Sequence, residues 1–354
     1  MTPSGVLVFR IGQLGDTIVS IPAIAAIRES HPQAPLVLLT DRHPEGRGFT
    51  SSWDVLGSLG WFDEVIYYSA GRDSIWKRAC IMLQTAYRIR RSHIGLVYDL
   101  SPFRSAQQLR RDSFFFLKIS GIPEIRRPRS CCPPPRGQND WLTPVEPEWS
   151  RLLSVVSHPP ANRFTFSIPD AARQEAIEAL EMMKIEEATR MIAIAPGSKM
   201  PSKRWPRERF EEIIATLVTQ DPDLRMVLIG GPGDIELCER ISSIDPARLK
   251  NLAGRLSVLG TAAILEKCLA YLGNDTGAMH LAAMLGKPCI ALFSARDYPG
   301  KWTPYGEGHI ALRRDIDCSG CMLEECRDRG NECLMKITSE EVLDSLRTII
   351  GGDR

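Results

Sequence analysis

Short apolar runs alternate along this chain with stretches in which apolar residues recur every three or four positions. Val6–Phe9, Pro35–Thr40, Glu64–Tyr68 and Ile94–Leu100 have the character of buried strands. Between the first two, Ile18, Ile21, Ile24, Ala25 and Ile27 predict a helix over 17–30, since residues at that spacing share one helical face. Arg72–Arg91 is helical in period, with Ile75, Ala79, Met82, Leu83 and Ala86 on one face; packing on the sheet is expected, although its basic flanks would also suit a membrane surface. The alternation then lapses. Eight prolines crowd 125–160, which predicts loop and linker, with a domain boundary near 157–170. Beyond it the pattern restarts. Asp170 is placed to cap a helix reaching about Lys184, and Met191–Ala195 is a strand. Pro206 opens a helix with Phe210, Ile213, Ile214 and Leu217 inward. Arg225–Gly230, Leu249–Ala253, Tyr271–Gly273 and Cys289–Phe293 are further strands, and a helix starts at Asp234. Thr338-Ser-Glu-Glu341 has capping-box spacing before a final helix to about Ile350.

Strands separated by helices imply parallel pairing, so the fold class is α/β with two doubly wound domains. The expected division is 1–165, 166–335, and a helix over 336–354 that could pack back on the first domain. Ligands of such sheets bind beyond the C-terminal strand ends, here expected in a cleft between the halves.

Leu269–Phe293 organises the second half: a strand, a turn Asp275-Thr276-Gly277, a helix carrying His280 on the same face one turn later, and a second strand. Unpaired N–H groups and the helix dipole make that turn suited to anions, which points to the diphosphate of a nucleotide sugar. Ser198 and Lys203 follow one strand of this half, and Asp234 and Glu236 follow another. Lysine binds phosphate as a point charge, and carboxylates accept from ribose hydroxyls. Singly, Lys203 could be a surface lysine and Asp275 a helix cap; together they read as one site. Neither a P-loop nor a G-x-G-x-x-G motif is present, which argues against a P-loop kinase and a dinucleotide dehydrogenase. In the first half, Gly12-Gln-Leu-Gly15-Asp16 sets a carboxylate at a strand–helix turn, where it could act as a general base or cap the helix.

These stretches bear a family signature. RIGQLGDTIVSIPAI, APGS with KRWP, GNDTGAMHLAAMLGKPCIALF and KWTPYG together resemble glycosyltransferase family 9, the ADP-heptose:lipopolysaccharide heptosyltransferases, along essentially the whole chain. The resemblance implies a GT-B fold and metal-independent, inverting transfer of heptose from ADP-heptose to the lipopolysaccharide inner core, with no cofactor required. It implies Asp16 as base and Lys203 on the donor phosphate. Asp275, Thr276, Gly277 and His280 fall on the donor signature, with Gly15 and Ser198 beside the donor and Asp234 or Glu236 on its ribose. Rival readings are another nucleotide sugar, a protein acceptor such as an autotransporter, a nucleotide-sugar 2-epimerase, and a non-catalytic nucleotide-sugar-binding protein.

Composition adds three points. Net charge is +1, yet 72–136 holds fourteen Lys/Arg against four Asp/Glu. A basic first half fits an anionic acceptor at the inner face of the cytoplasmic membrane, for which Arg104, Arg110, Arg111 and Lys118 are the candidate contacts; no nucleic-acid partner is expected. No apolar run reaches the roughly 18 residues of a membrane span, and the N-terminus lacks signal-peptide character, so a cytoplasmic, membrane-peripheral location is expected. Of ten cysteines, Cys318, Cys321, Cys326 and Cys333 cluster, and four thiols at this spacing could ligate structural zinc or iron.

Overall fold

The computed structural model describes residues 4–42, 51–69, 74–137, 141–157, 164, 166–185 and 190–351. The chain divides into two units, Met1–Pro134 with Glu146–Phe164, and Pro135–Val145 with Thr165–Arg354.

The first unit contains β1 (Gly5–Phe9), β2 (Leu36–Arg42), β3 (Glu64–Ser69), β4 (Ile94–Asp99) and β5 (Glu124–Arg126), all parallel, in the order β3-β2-β1-β4-β5. Its helices are α1 (Leu14–Ile18), α2 (Ile21–Ser30), α3 (Ser52–Leu56), α4 (Ile75–Arg91), α5 (Ala106–Ser113) and α6 (Glu148–Leu153). Leu7, Phe9, Val37, Leu39, Ile66 and Val97 fill the layer beneath Ile89 of α4. The single helix predicted over 17–30 is two: α1 ends at Ile18, and Pro22, which has no N–H to give a preceding turn, sits in the first turn of α2.

The second unit contains β6 (Met191–Ala195), β7 (Arg225–Leu228), β8 (Leu249–Asn251), β9 (Ala270–Asn274), β10 (Cys289–Phe293) and β11 (Ile310–Arg313), also parallel, in the order β11-β10-β9-β6-β7-β8. Its helices are α7 (Asp170–Met182), α8 (Arg207–Gln220), α9 (Ile235–Ser242), α10 (Val258–Lys267), α11 (Gly277–Met284), α12 (Glu332–Met335) and α13 (Ser339–Gly351). Trp205 lies in its core, 1% exposed, its indole N–H donating to the carbonyls of Leu334 and Ile337 at 3.1 Å each.

Several expectations change. Asp170 is the first residue of α7 and Pro169 its cap; Pro206 is likewise the cap of α8 rather than its first residue. The short strands β5 and β11 escape the pattern because each is an edge strand of three or four residues with polar positions. The proline-rich stretch is more than linker. Residues 135–145 belong to the second unit, where Val145 N–H donates to Pro299 and Leu142 is buried. The following α6 belongs to the first, where buried Arg151 donates to the carbonyls of Ser101 (2.9 Å) and Ser130 (2.8 Å). The predicted boundary runs through 158–163 and 165, outside the described residues. Helix α13 packs on α8 and β10 of the second unit, burying Val342 and Leu346. On α4, Met82, Leu83 and Ala79 face solvent, while Thr85, Ala86 and Ile89 pack inward; the side chain of Ile75 lies outside the description.

Candidate functional site

Each sheet reverses its strand order once, between β1 and β4 in the first unit and between β6 and β9 in the second. Ligands of open α/β sheets bind beyond the strand ends at such a point, because the loops there diverge and leave a crevice.

In the second unit both strands at the reversal deliver site residues. After β6 come Ser198 and Lys203; after β9 come Asp275 and the start of α11. Lys203 Nζ lies 2.5 Å from Asp275 Oδ2, joining the two loops. Asn274 fixes their spacing: its amide donates to the carbonyls of Pro196 (2.8 Å) and Gly197 (3.2 Å), and its oxygen accepts from Trp205 N–H at 3.0 Å. Asp275 N–H donates to Leu292 of β10. The backbone at Asn274 and Asp275 is therefore tied to the loop after β6 and to β10, which positions the carboxylate.

Thr276 precedes α11 in extended conformation, but its side chain does not cap the helix; its hydroxyl lies 3.4 Å from Tyr271 OH. The first-turn N–H groups from Gly277 onward have no intrahelical acceptor, so this end of α11 offers donors and a positive dipole end to an anion. His280 is buried 3.9 Å from Asp275. Burial lowers its pKa to about 4, outweighing the pull of Asp275, so the imidazole is neutral near pH 7. Among the described residues its Nδ1 has no hydrogen-bond partner.

Trp302 closes this cluster. Its ring lies 4.8 Å from Lys301 Nζ, 5.8 Å from Lys203 Nζ and 6.0 Å from the His280 ring, and its N–H donates to Asp297 at 2.8 Å. Burial opposes ionisation of Asp297, but Lys301, the Trp302 N–H and the Tyr298 N–H hold its carboxyl below the usual range. The sequence assigns no role to Lys301 or Trp302; the signal in KWTPYG is an aromatic directly beside a lysine.

Ser198 is buried, its hydroxyl accepting from Met200 N–H at 3.3 Å and its carbonyl from Arg204 at 2.7 Å. The two acids considered after β7 separate clearly. Asp234 folds back over Gly197 and Gly230 and accepts from Gly231 N–H at 2.9 Å, with its pKa raised by burial. A Cβ on Gly197 would stand 2.0 Å from Asp234 Oδ1, so glycine is required for this approach. Glu236 points to solvent and pairs with Arg240 one turn along α9.

In the first unit, Asp16 is the third residue of α1 and accepts from Gln13 N–H at 2.9 Å. Its side chain lies 3.5 Å from the guanidinium of Arg10, which is wholly buried and also donates to the carbonyls of Leu100 and Asp16. Arg10 thus bridges the ends of β1 and β4 and fixes the turn. Gly12 has φ +126°, a conformation open to glycine, and Gly15 lies within α1. Arg10 was not singled out by sequence reasoning, since an arginine after an apolar strand gives no sign of being buried. Of the acceptor candidates, Arg110, Arg111 and Lys118 are exposed on α5 and the π-helical turn Phe114–Ile119 that follows it. Arg104 instead pairs with Asp112 at 3.5 Å.

The four C-terminal cysteines are free thiols, and Cys333 Sγ accepts from Ala295 N–H at 3.4 Å. Burial raises the pKa of Cys318 and Cys333. Among the described residues no three His, Cys, Asp or Glu side chains are grouped so that they could hold a metal ion.

A family model described as glycosyltransferase family 9 (heptosyltransferase) matches residues 155–331, half of the chain, including Ser198, Lys203, Asp234, Asp275 and His280. The chain belongs to glycosyltransferase family 9. A lipooligosaccharide heptosyltransferase 2 from Haemophilus influenzae is 27% identical over 190 residues, 50% of this chain and 54% of that one. The chain spans about half the length of the curated relatives it matches first. Over its full length it superposes on a solved Escherichia coli ADP-heptose lps heptosyltransferase II (TM-score 0.69, 18% identity, 99% of each chain). It also superposes on a family 9 glycosyl transferase from Veillonella parvula (TM-score 0.73, 19% identity, 98% of this chain and 97% of that one). The fold of this family 9 chain is the two-domain GT-B fold.

Proposed function

We propose that the chain transfers heptose from ADP-heptose to the lipopolysaccharide inner core, with inversion and without a required metal, in the cytoplasm at the inner face of the membrane. The observation that carries this reading is the Lys203–Asp275 pair at the reversal of the second sheet, beside the uncapped start of α11. Asp275 orients the Lys203 ammonium yet engages one of its three N–H donors, leaving the others for a diphosphate oxygen. Lys203 and the first-turn N–H groups of α11 then stabilise the charge that grows on departing ADP. Asp16 takes the proton of the acceptor hydroxyl as that oxygen bonds to the anomeric carbon and the carbon–oxygen bond to the diphosphate breaks. Gln13 N–H and Arg10 keep its carboxylate fixed for that task. Asp234, in the turn that follows β7, is in this reading the acid that accepts from the ribose hydroxyls.

The direct test is to incubate the protein with ADP-heptose and a panel of truncated lipopolysaccharides, with and without EDTA, and to look for a mass gain of one heptose. A gain on an inner-core acceptor, unchanged by EDTA, is expected. No gain on any acceptor, or transfer only from another nucleotide sugar, would reject the assignment.

A further inference from the structure

Helix α4 packs inward through Thr85, Ala86 and Ile89, against β3 and β4. A second apolar stripe runs along its opposite side. Trp76, Cys80, Leu83 and Tyr87 are separated by four, three and four residues, which places them on one helical face. All four are exposed; Trp76 is 83%, Leu83 63% and Tyr87 61% accessible. Apolar side chains in a row on the solvent face of a helix are not explained by its packing. The same helix carries five basic residues and no acidic one. Lys77 and Arg91 flank the stripe on one edge and Arg90 on the other, and all are exposed. Beside α4 packs the turn Phe114–Ile119, which adds exposed Phe114, Leu117 and Lys118. Nearby Glu64 is already engaged by Arg88 and Ser92.

We propose that this face of the first unit, α4 with the adjoining turn, is the surface by which the protein docks on an anionic lipid bilayer. Charge decides for a bilayer over an apolar protein groove. A cationic rim around aromatic and aliphatic side chains matches the headgroup–acyl boundary, where indole and phenol rings settle and lysine and arginine meet lipid phosphates. An aliphatic protein groove offers no counter-charge to such a rim, whereas anionic headgroups do. The inference deepens the peripheral location proposed above and rests on it. Vesicle binding, however, needs neither donor nor acceptor, so its failure is separable from failure of sugar transfer.

The test is flotation of the full chain with vesicles of phosphatidylglycerol and phosphatidylethanolamine, against vesicles of phosphatidylcholine alone. Binding to the anionic vesicles only, weakened by salt, is expected. The double variant Trp76→Ala/Leu83→Ala should bind at least tenfold more weakly, and Arg90→Glu/Arg91→Glu should lose binding and its salt dependence. Both should keep the wild-type melting temperature, because these side chains are exposed, and should still act on a water-soluble, delipidated acceptor. Three results would overturn the proposal: no vesicle binding by the wild type, undiminished binding by both variants, or sedimentation showing a dimer that the Trp76→Ala/Leu83→Ala change dissolves.

Discussion

Two aspartates divide the work at the scale of single residues. Asp16 sits where a helix-capping role and a proton-accepting role coincide, since Gln13 N–H engages one oxygen. Asp16→Asn keeps the size and can still accept that hydrogen bond, so folding and ADP binding measured by calorimetry should be preserved. Turnover should fall roughly 10²–10⁴-fold, the range associated with a lost general base; wild-type turnover would remove Asp16 from the mechanism. Asp275 is nearly buried and faces Lys203. Lys203→Ala would leave that carboxylate without its cation, which should cost about 3 kcal/mol in denaturant unfolding and weaken ADP binding together. His280 gives a pH signature. Its folded pKa, about 4, lies below the ordinary 6.5, so below pH 6.5 the unfolded chain binds a proton that the folded one refuses. Stability should be full above pH 6.5, fall by roughly 3 kcal/mol as pH drops toward 4, and then level off for this group. In His280→Gln that part of the slope should vanish from urea midpoints measured across the interval.

At the scale of elements, the donor side depends on loops that approach within atomic contact. Gly197 lies under the Asp234 carboxylate, and Asp234 is itself tied to Gly231. Gly197→Ala should therefore push Asp234 out of place, at a cost of about 1–3 kcal/mol, and lower donor affinity. Asp234→Ala in the same chain should restore the stability but not the affinity; if stability is not restored, the clash is with something other than Asp234. The motif KRWP was legible as part of the family signature, and Lys203 as a phosphate-binding charge placed after a strand. Less visible was its division of labour, in which Lys203 meets Asp275 while Trp205 turns inward to Leu334 and Ile337.

At the scale of the whole molecule, Trp205 and α13 join the site-bearing loops to the core of the second unit. Removing α13 would strip Val342, Leu343 and Leu346 from that core. Truncation after Thr338 should cost several kcal/mol and lower the melting temperature of the second unit, at a loss of about 2–5 kcal/mol for each large buried aliphatic side chain. A truncated chain that melts as the full one does would show α13 to be dispensable.

The sequence by itself determined the two α/β halves, nearly every central strand, and the turn after β9, because buried parallel strands are continuously apolar and a glycine-rich turn before a helix is a local event. It also determined which charged residues stand at strand ends. Tertiary structure alone decided which of them meet. Lys203 and Asp275 are 72 residues apart and pair only because β6 and β9 are neighbours. Arg10 became a buried bridge, Glu236 a solvent-facing ion pair, and Leu83 an exposed residue, since burial depends on what packs from elsewhere in the chain. Periodicity reports that a helix has an apolar face; it does not report that α4 has two, one turned to the sheet and one to solvent.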